Sequence, residues 1–148
     1  MWTYNNVQIQ DTDIPEQAIG FIYIITHTPS SRKYIGRKLL TMAGTKQVNG
    51  KKKKIRKDSK WRDYWSSSPD LLKLIATEGI DNFTREIICF ANSKSSLSYM
   101  EEAMQYQLGV LETEHWFNSN IRAKVYRRNV FGKSDIIVFR EMLTKFGR

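Results

Sequence analysis

The sequence has one cysteine in 148 residues, Cys89, so no disulfide can close within the chain. It lies in the apolar run Ile87, Ile88, Cys89, Phe90 and reads as a small buried hydrophobe. Lack of a disulfide framework fits a reducing cytoplasm. No apolar run approaches the ~20 residues of a membrane-spanning helix, and the opening MWTYNNVQIQDTDIP lacks the basic start, apolar stretch and small-residue cleavage site of a secretory leader. There is no zinc-spaced Cys/His set, no Walker-type phosphate loop and no supported Ser-His-Asp order. Acidic residues are also scarce, 15 against 24 basic, for a net charge of +9 and a pI near 9.7. Such a surplus attracts polyanions, because binding releases their counterions, so nucleic acid is the first partner to consider.

What is present organises into one domain with appendages, since a chain of this length buries one core. Phe21 to Thr26 (FIYIIT) is a continuous β-branched and aromatic run, read as a buried strand. After the turn-rich connector His27 to Arg32, Lys33 to Gly36 gives a second strand, and the short spacing predicts an antiparallel hairpin. Residues 39–60 break the pattern with two glycines, an asparagine and the run Lys51, Lys52, Lys53, Lys54, Ile55, Arg56, Lys57, and read as a mobile loop or basic arm. Ser68 before Pro69 and Asp70 predicts a capped helix to about Glu78, stopped by Gly79. Phe83 to Phe90 is a third strand. Ser93 to Ser98 opens a further helix, with Leu97, Met100, Met104, Leu108 and Leu111 on one face. Arg122, Lys124, Arg127 and Arg128 follow, then a last helix from Ser134 or Asp135 with Ile136, Phe139, Leu143 and Phe146 on one side.

Two tyrosines, Tyr23 and Tyr34, sit on the two strands of the predicted hairpin. Phe21-Ile22-Tyr23 followed by Tyr34-Ile35-Gly36 resembles the paired motifs of the GIY-YIG nucleases, with Phe21 in the place of the usual glycine and Gly20 one residue earlier. The stretch Tyr64 to Leu71, with Gly79, Asn82 and Phe83 beyond it, resembles the middle of phage and mobile-element endonucleases of that family. Together these features cover roughly residues 20 to 121.

The resemblance implies an α+β fold, a small three-stranded antiparallel sheet flanked by helices, with a carboxylate on a late helix. At roughly 100° per residue, Glu101 borders the apolar face of the helix from Leu97 while Glu102 points to solvent. Glu101 is the carboxylate that would hold one divalent ion, Mg²⁺ or Mn²⁺, completed by water and phosphate. By resemblance Tyr23 helps deprotonate the attacking water and Tyr34 orients water or phosphate, which needs nearby cations such as Arg37 and Lys38. The family also carries an arginine after the second motif. Arg37, Arg56 and Arg62 compete for that role, and Arg62 is preferred because Trp61, Tyr64 and Trp65 around it suggest an ordered turn. Asn118 resembles a family asparagine that contacts phosphate or caps a turn. A family histidine near the arginine has no counterpart in this sequence, since His27 lies in the hairpin turn and His115 after the long helix, and both read as surface residues rather than ligands.

The expected organisation is an N-terminal extension over 1–19, a nuclease domain over 20–121 with its basic loop at 39–60, and a basic C-terminal extension over 122–148. The expected activity is metal-dependent hydrolysis of DNA, double-stranded, by an enzyme of phage or homing type acting in a host cytoplasm. Tyr23, Tyr34, Arg62 and Glu101 would be catalytic, Arg37, Lys38 and Asn118 supporting, and Lys51, Lys52, Lys53, Lys54, Arg56 and Lys57 would grip the DNA. A homodimer or accessory partner would add specificity. The alternative is a binding module on the same fold that holds nucleic acid without cutting it.

Overall fold

The computed structural model describes residues 1–122, 125–129 and 131–144. The elements run β1 (Trp2–Tyr4), β2 (Val7–Gln8), β3 (Gly20–His27), β4 (Arg32–Leu39), β5 (Thr41–Val48), β6 (Lys51–Asp58), α1 (Pro69–Glu78), β7 (Phe83–Ala91), α2 (Lys94–Gln107), β8 (Asn120–Ile121), β9 (Val125–Tyr126) and α3 (Ser134–Thr144). The expected α3 is present; its apolar side, assigned to Ile136, Phe139, Leu143 and Phe146, rests on side chains outside the described part, as does Lys124.

The main sheet has five strands in the order β2-β1-β7-β3-β4, not the three that the sequence suggests. The expected trio β4, β3 and β7 is antiparallel, and β1 then adds parallel to β7. The two extra strands come from the N-terminus, where Asn5 and Asn6 both take positive φ and fold β2 back on β1. Trp2 drives this addition. It is buried, meets Phe21 and Tyr23 edge to face, and donates its indole N–H to the Trp61 carbonyl at 3.0 Å.

Strand β3 is covered on both faces, which is why it reads as a continuous apolar run. Phe21, Tyr23 and Ile25 pack with Trp2, Trp61, Leu71, Ile75 and Phe117 on one face; Ile22 packs with Ile35, Leu97, Val110 and Trp116 on the other. Helix α1 starts as expected, with Ser68 accepting the Leu71 N–H and Pro69 at the first turn. Helix α2 is capped by Ser93 and ends at Gln107, before the expected stripe is complete. Leu108 is therefore 44% exposed, and Leu111 is buried only after the chain has turned. Cys89 is half-buried, its Sγ 3.9 Å from the Met100 sulfur. His27 is not a surface residue: it is buried and bridges Ser30 and Glu78, both at 2.6 Å, tying the end of β3 to the end of α1.

Residues 39–60 are not a loop. They form a separate two-stranded ribbon, β5 paired with β6 from Thr41↔Asp58 to Val48↔Lys51. Asn49 and Gly50 make its turn with φ of 52° and 76°, the positive pair that a tight two-residue hairpin requires. Among the described residues no helix is long and apolar enough to cross a membrane.

Candidate active site

Strand β4 is the edge of the main sheet, and it carries side chains on both faces around one glycine. Tyr34 lies opposite Ile25, Gly36 opposite Tyr23, and Arg37 opposite Ile22. The Tyr23 ring crosses Gly36 toward the edge, so a Cβ at Gly36 would stand 2.5 Å from the Tyr23 hydroxyl and 3.0 Å from the Tyr34 ring. No other residue fits under that ring without displacing it. The two tyrosine centroids are 6.2 Å apart and tilted by 36°, with Tyr64 edge-on to Tyr23 at 5.9 Å.

The two rings differ in access to water. Tyr23 is 1% exposed; burial pushes its hydroxyl well above the ordinary phenol value, and neighbouring Tyr34 and Tyr64 push the same way. Tyr34 is half-buried and lines a cleft. Burial raises it too, but hydrogen bonds from Ser67 and Ser66 oppose the rise by favouring the phenolate.

The cleft, about 280 Å³, is lined by Tyr34, Ser67, Ser68, Glu101, Gln105, Asn118 and Arg122, among others. Glu101 reaches it from α2, one turn after Leu97, which anchors the helix in the core. Its side chain is 19% exposed, and Arg37 Nε lies 3.6 Å away. Burial raises the Glu101 pKa above the usual carboxylate range; Arg37 works against the rise and Glu102 adds to it. Arg37 is further held by Ser98. Glu102 is not free in solvent, as the helical wheel had it, but half-buried and paired with Arg122.

Asn118 is spent on the edge strand. Its Oδ1 accepts the Ile35 N–H at 3.1 Å and its Nδ2 donates to the Ile35 carbonyl at 2.9 Å, with the side chain buried. Lys33 N–H donates to the His115 carbonyl at 2.9 Å and Phe117 N–H to the Lys33 carbonyl at 2.7 Å, so residues 115–118 cover the edge of β4. Arg127 in turn holds that segment, donating to the carbonyls of Val110, Trp116, Asn118 and Thr113.

Arg62 sits elsewhere. Its guanidinium lies over Trp61 and bonds Asp11 at 2.8 Å and Asp58 at 3.1 Å, and these carboxylates hold its pKa above the usual value. It lines a larger cavity, about 690 Å³, with Trp2, Asp11 and Arg85, which shares no lining residue with the tyrosine cleft. Lys38 stacks its ammonium on Tyr64 at 4.2 Å. Lys51, Lys52, Lys53, Lys54, Arg56 and Lys57 all lie exposed on β6. Arg56 is folded back on Thr41, donating to its hydroxyl at 3.1 Å and its carbonyl at 2.9 Å.

Several residues of the site went unread in the sequence. Ser66 and Ser67 serve the tyrosines, Gln105 and Arg122 line the cleft, and Arg85 supports the segment behind them. Arg85 is buried between Trp2 and Trp65 and donates to the Arg62 and Tyr64 carbonyls at 3.0 and 2.8 Å. Burial lowers its pKa to about 10. Ser66 and Ser67 were visible only as a polar triplet before a helix-opening proline, inside the family-like stretch Tyr64 to Leu71, with no role assigned; nothing marked Arg85.

A single carboxylate dominates the cleft, and among the described residues no three His, Cys, Asp or Glu side chains converge. That donor set suits a hydrated hard cation such as Mg²⁺, which keeps several waters and takes only one or two carboxylates. An under-neutralised, partly desolvated Glu101 is the group such a cation would satisfy.

The family model described as "Putative endonuclease segE, GIY-YIG domain" matches residues 2–121, from Trp2 of β1 to the end of β8. No curated protein and no solved structure gives a significant match. The paired tyrosines over Gly36, the carboxylate on α2 and a match spanning most of the sequence lead to one conclusion: the chain belongs to the GIY-YIG nuclease family.

Proposed function

We propose that this protein is a metal-dependent endonuclease that hydrolyses phosphodiester bonds in DNA, of the phage or mobile-element kind and working in a host cytoplasm. The observation that carries the reading is the meeting of Tyr34 and Glu101 in one polar cleft, with Arg37 against the carboxylate. Hydrolysis needs a proton acceptor for water, positive charge at the phosphate and stabilisation of the leaving oxygen. Glu101 would hold the divalent cation, which when bound supplies charge to the phosphoryl and leaving oxygens. Tyr34 is the hydroxyl with access to the cleft; burial keeps it protonated in the free site, so it would take the proton from water only as the phenolate, the form that the Ser66 and Ser67 hydrogen bonds and a bound cation favour. Tyr23, sealed from water, is the positioning residue beneath it.

Arg37 is the arginine we assign to the phosphate. It is exposed, yet fixed by Glu101 and Ser98, which is what stabilising charge in a transition state requires. Arg62, occupied by two carboxylates, is assigned no chemical step. Asn118 fixes the register of the covering segment on β4, with its Oδ1 and one amide N–H both engaged by Ile35.

The test is incubation of supercoiled plasmid with purified protein and Mg²⁺, with EDTA and Glu101→Ala in parallel. Nicking or linearisation lost in both controls is the expected result. A shifted but uncut plasmid across several metals would instead select a binding module.

A further inference from the structure

We propose that the β5–β6 ribbon is a duplex-DNA arm that lies along the major groove, with the face bearing Lys46, Lys51, Lys53 and Lys57 turned to the DNA. The proposal rests on the DNA-cleaving reading for its substrate but is measured without cleavage.

The register divides the ribbon into two unlike faces, because directly opposed residues of an antiparallel pair share a face. One carries Met42, Gly44, Lys46 and Val48 with Lys51, Lys53, Ile55 and Lys57: four positive charges and no acid. The other carries Thr41, Ala43, Thr45 and Gln47 with Lys52, Lys54, Arg56 and Asp58: three positive charges and one negative. Asp58 there is bound to Arg62, and Arg56 is folded onto Thr41. The four-lysine face thus has the greater unpaired charge.

That face is also costly to keep in a free protein. Lys46 stands directly opposite Lys53, a like-charged cross-strand pair that weakens a hairpin. Neither strand belongs to the main sheet, and a two-stranded ribbon is marginal in water without added contacts. A polyanion lying between the two lysines turns the repulsion into attraction and releases counterions.

Shape agrees with charge. Each strand has eight residues, giving an arm of about 25 Å at roughly 3.3 Å per residue, and the major groove, about 12 Å wide, admits a two-stranded ribbon. Met42, Val48 and Ile55 on the same face suit the apolar methyls and sugars of a groove.

The root of the arm is fixed. Leu40, the residue joining β4 to β5, is buried in the core, and Ser59 just after β6 is buried and bonds the Leu40 carbonyl at 3.1 Å. Arg62 latches Asp58 at the ribbon's end to Asp11 of the N-terminal segment. The strand that carries Tyr34 and Arg37 therefore continues directly into the arm, so a duplex gripped by the ribbon runs past the cleft.

The experiment is binding of a 30-base-pair duplex (about three helical turns) to the full chain in EDTA, titrated over salt. Replacing Lys46, Lys51, Lys53 and Lys57 by Gln should lower the slope of log K against log salt by about 3 to 4, since each phosphate neutralised contributes about 0.9. Lys52→Gln with Lys54→Gln should lower it by less than about 1. The four Lys→Arg changes should keep the wild-type slope, and circular dichroism with thermal melting should show all variants folded. Equal loss per lysine on both faces, an unchanged slope in the four-lysine variant, or equal affinity for a single strand of the same length overturns the proposal. Failure of the nuclease reading shows separately, as intact plasmid with Mg²⁺ present.

Discussion

Two hairpins follow one another along this chain, β3–β4 and β5–β6, each built from eight-residue antiparallel strands, and they share almost nothing else. The first is buried by aromatic and β-branched side chains on both faces and carries the tyrosines. The second is exposed along nearly its whole length and carries lysines. Hydrogen-bond ladders alone do not distinguish them. Packing makes the first a rigid platform on which a ring can be placed against a glycine, and charge makes the second a means of holding a substrate. Chemistry and grip are separated along one continuous strand path.

Changing the platform tests that separation most severely. Tyr34→Phe should cut the cleavage rate by about 10²–10⁴-fold, the range for losing a general acid or base, while duplex affinity in EDTA stays near wild type. Tyr23→Phe should lose far less in rate, because the residue is almost fully buried and lies outside the cleft lining. A Tyr23→Phe loss equal to that of Tyr34→Phe, measured in single-turnover cleavage, would move the proton role to Tyr23.

Asn118→Ala should destabilise the fold by about 2–6 kcal/mol, since it strands two buried backbone groups of Ile35 at about 1–3 kcal/mol each. Denaturant unfolding reads this directly. Truncating Lys54 on the ribbon should stay within about 0.5 kcal/mol, as surface changes generally do. Equal costs at the two positions would erase the contrast between hairpins.

Glu101→Gln sharpens the comparison in the opposite sense. Burial raises the folded pKa of Glu101, so at neutral pH the fold carries an ionised carboxylate it would prefer protonated. That penalty is present above the raised pKa and disappears as pH falls through it. The substitution should therefore raise Tm at neutral pH, with the gain fading as pH falls through the raised pKa, read by thermal melting across pH. A lowered Tm at neutral pH would mean that Arg37 outweighs burial. The smallest effect is expected where the hairpins join: Arg62→Ala removes exposed ion pairs that solvent and salt screen and should leave both Tm and cleavage rate close to wild type, checked by melting and by plasmid assay.

Local rules made much of this legible. The run from Phe21, Ser68 before Pro69, and the stripe from Leu97 to Met104 announce their elements because each is governed by neighbours in sequence. Tyr23, Tyr34 and Glu101 were recognisable by motif and helical spacing. What escaped depends on contacts distant in sequence. Trp2 joins the sheet through β7, more than eighty positions away, and nothing near it in the sequence says so. Arg62 sits in the aromatic setting that favoured it, yet Asp11 and Asp58 decide its role. The ribbon was the exception, a missed local signal: Asn49-Gly50 is a hairpin turn, but lysines have low strand propensity and obscured it.

The covered edge of β4 has a consequence for solubility. Exposed strand edges invite pairing with other chains. The main sheet presents only the two-residue β2 at one end and, at the other, a strand whose Lys33 and Ile35 backbone groups are taken by residues 115–118 and whose Leu39 carbonyl is taken by Ser59, so it offers little to a neighbouring molecule. The ribbon belongs to no larger sheet, and its lysines repel an approaching copy of itself. The charges proposed to hold DNA would then also keep the free protein from aggregating, and a variant stripped of them must be watched for self-association as well as for lost affinity.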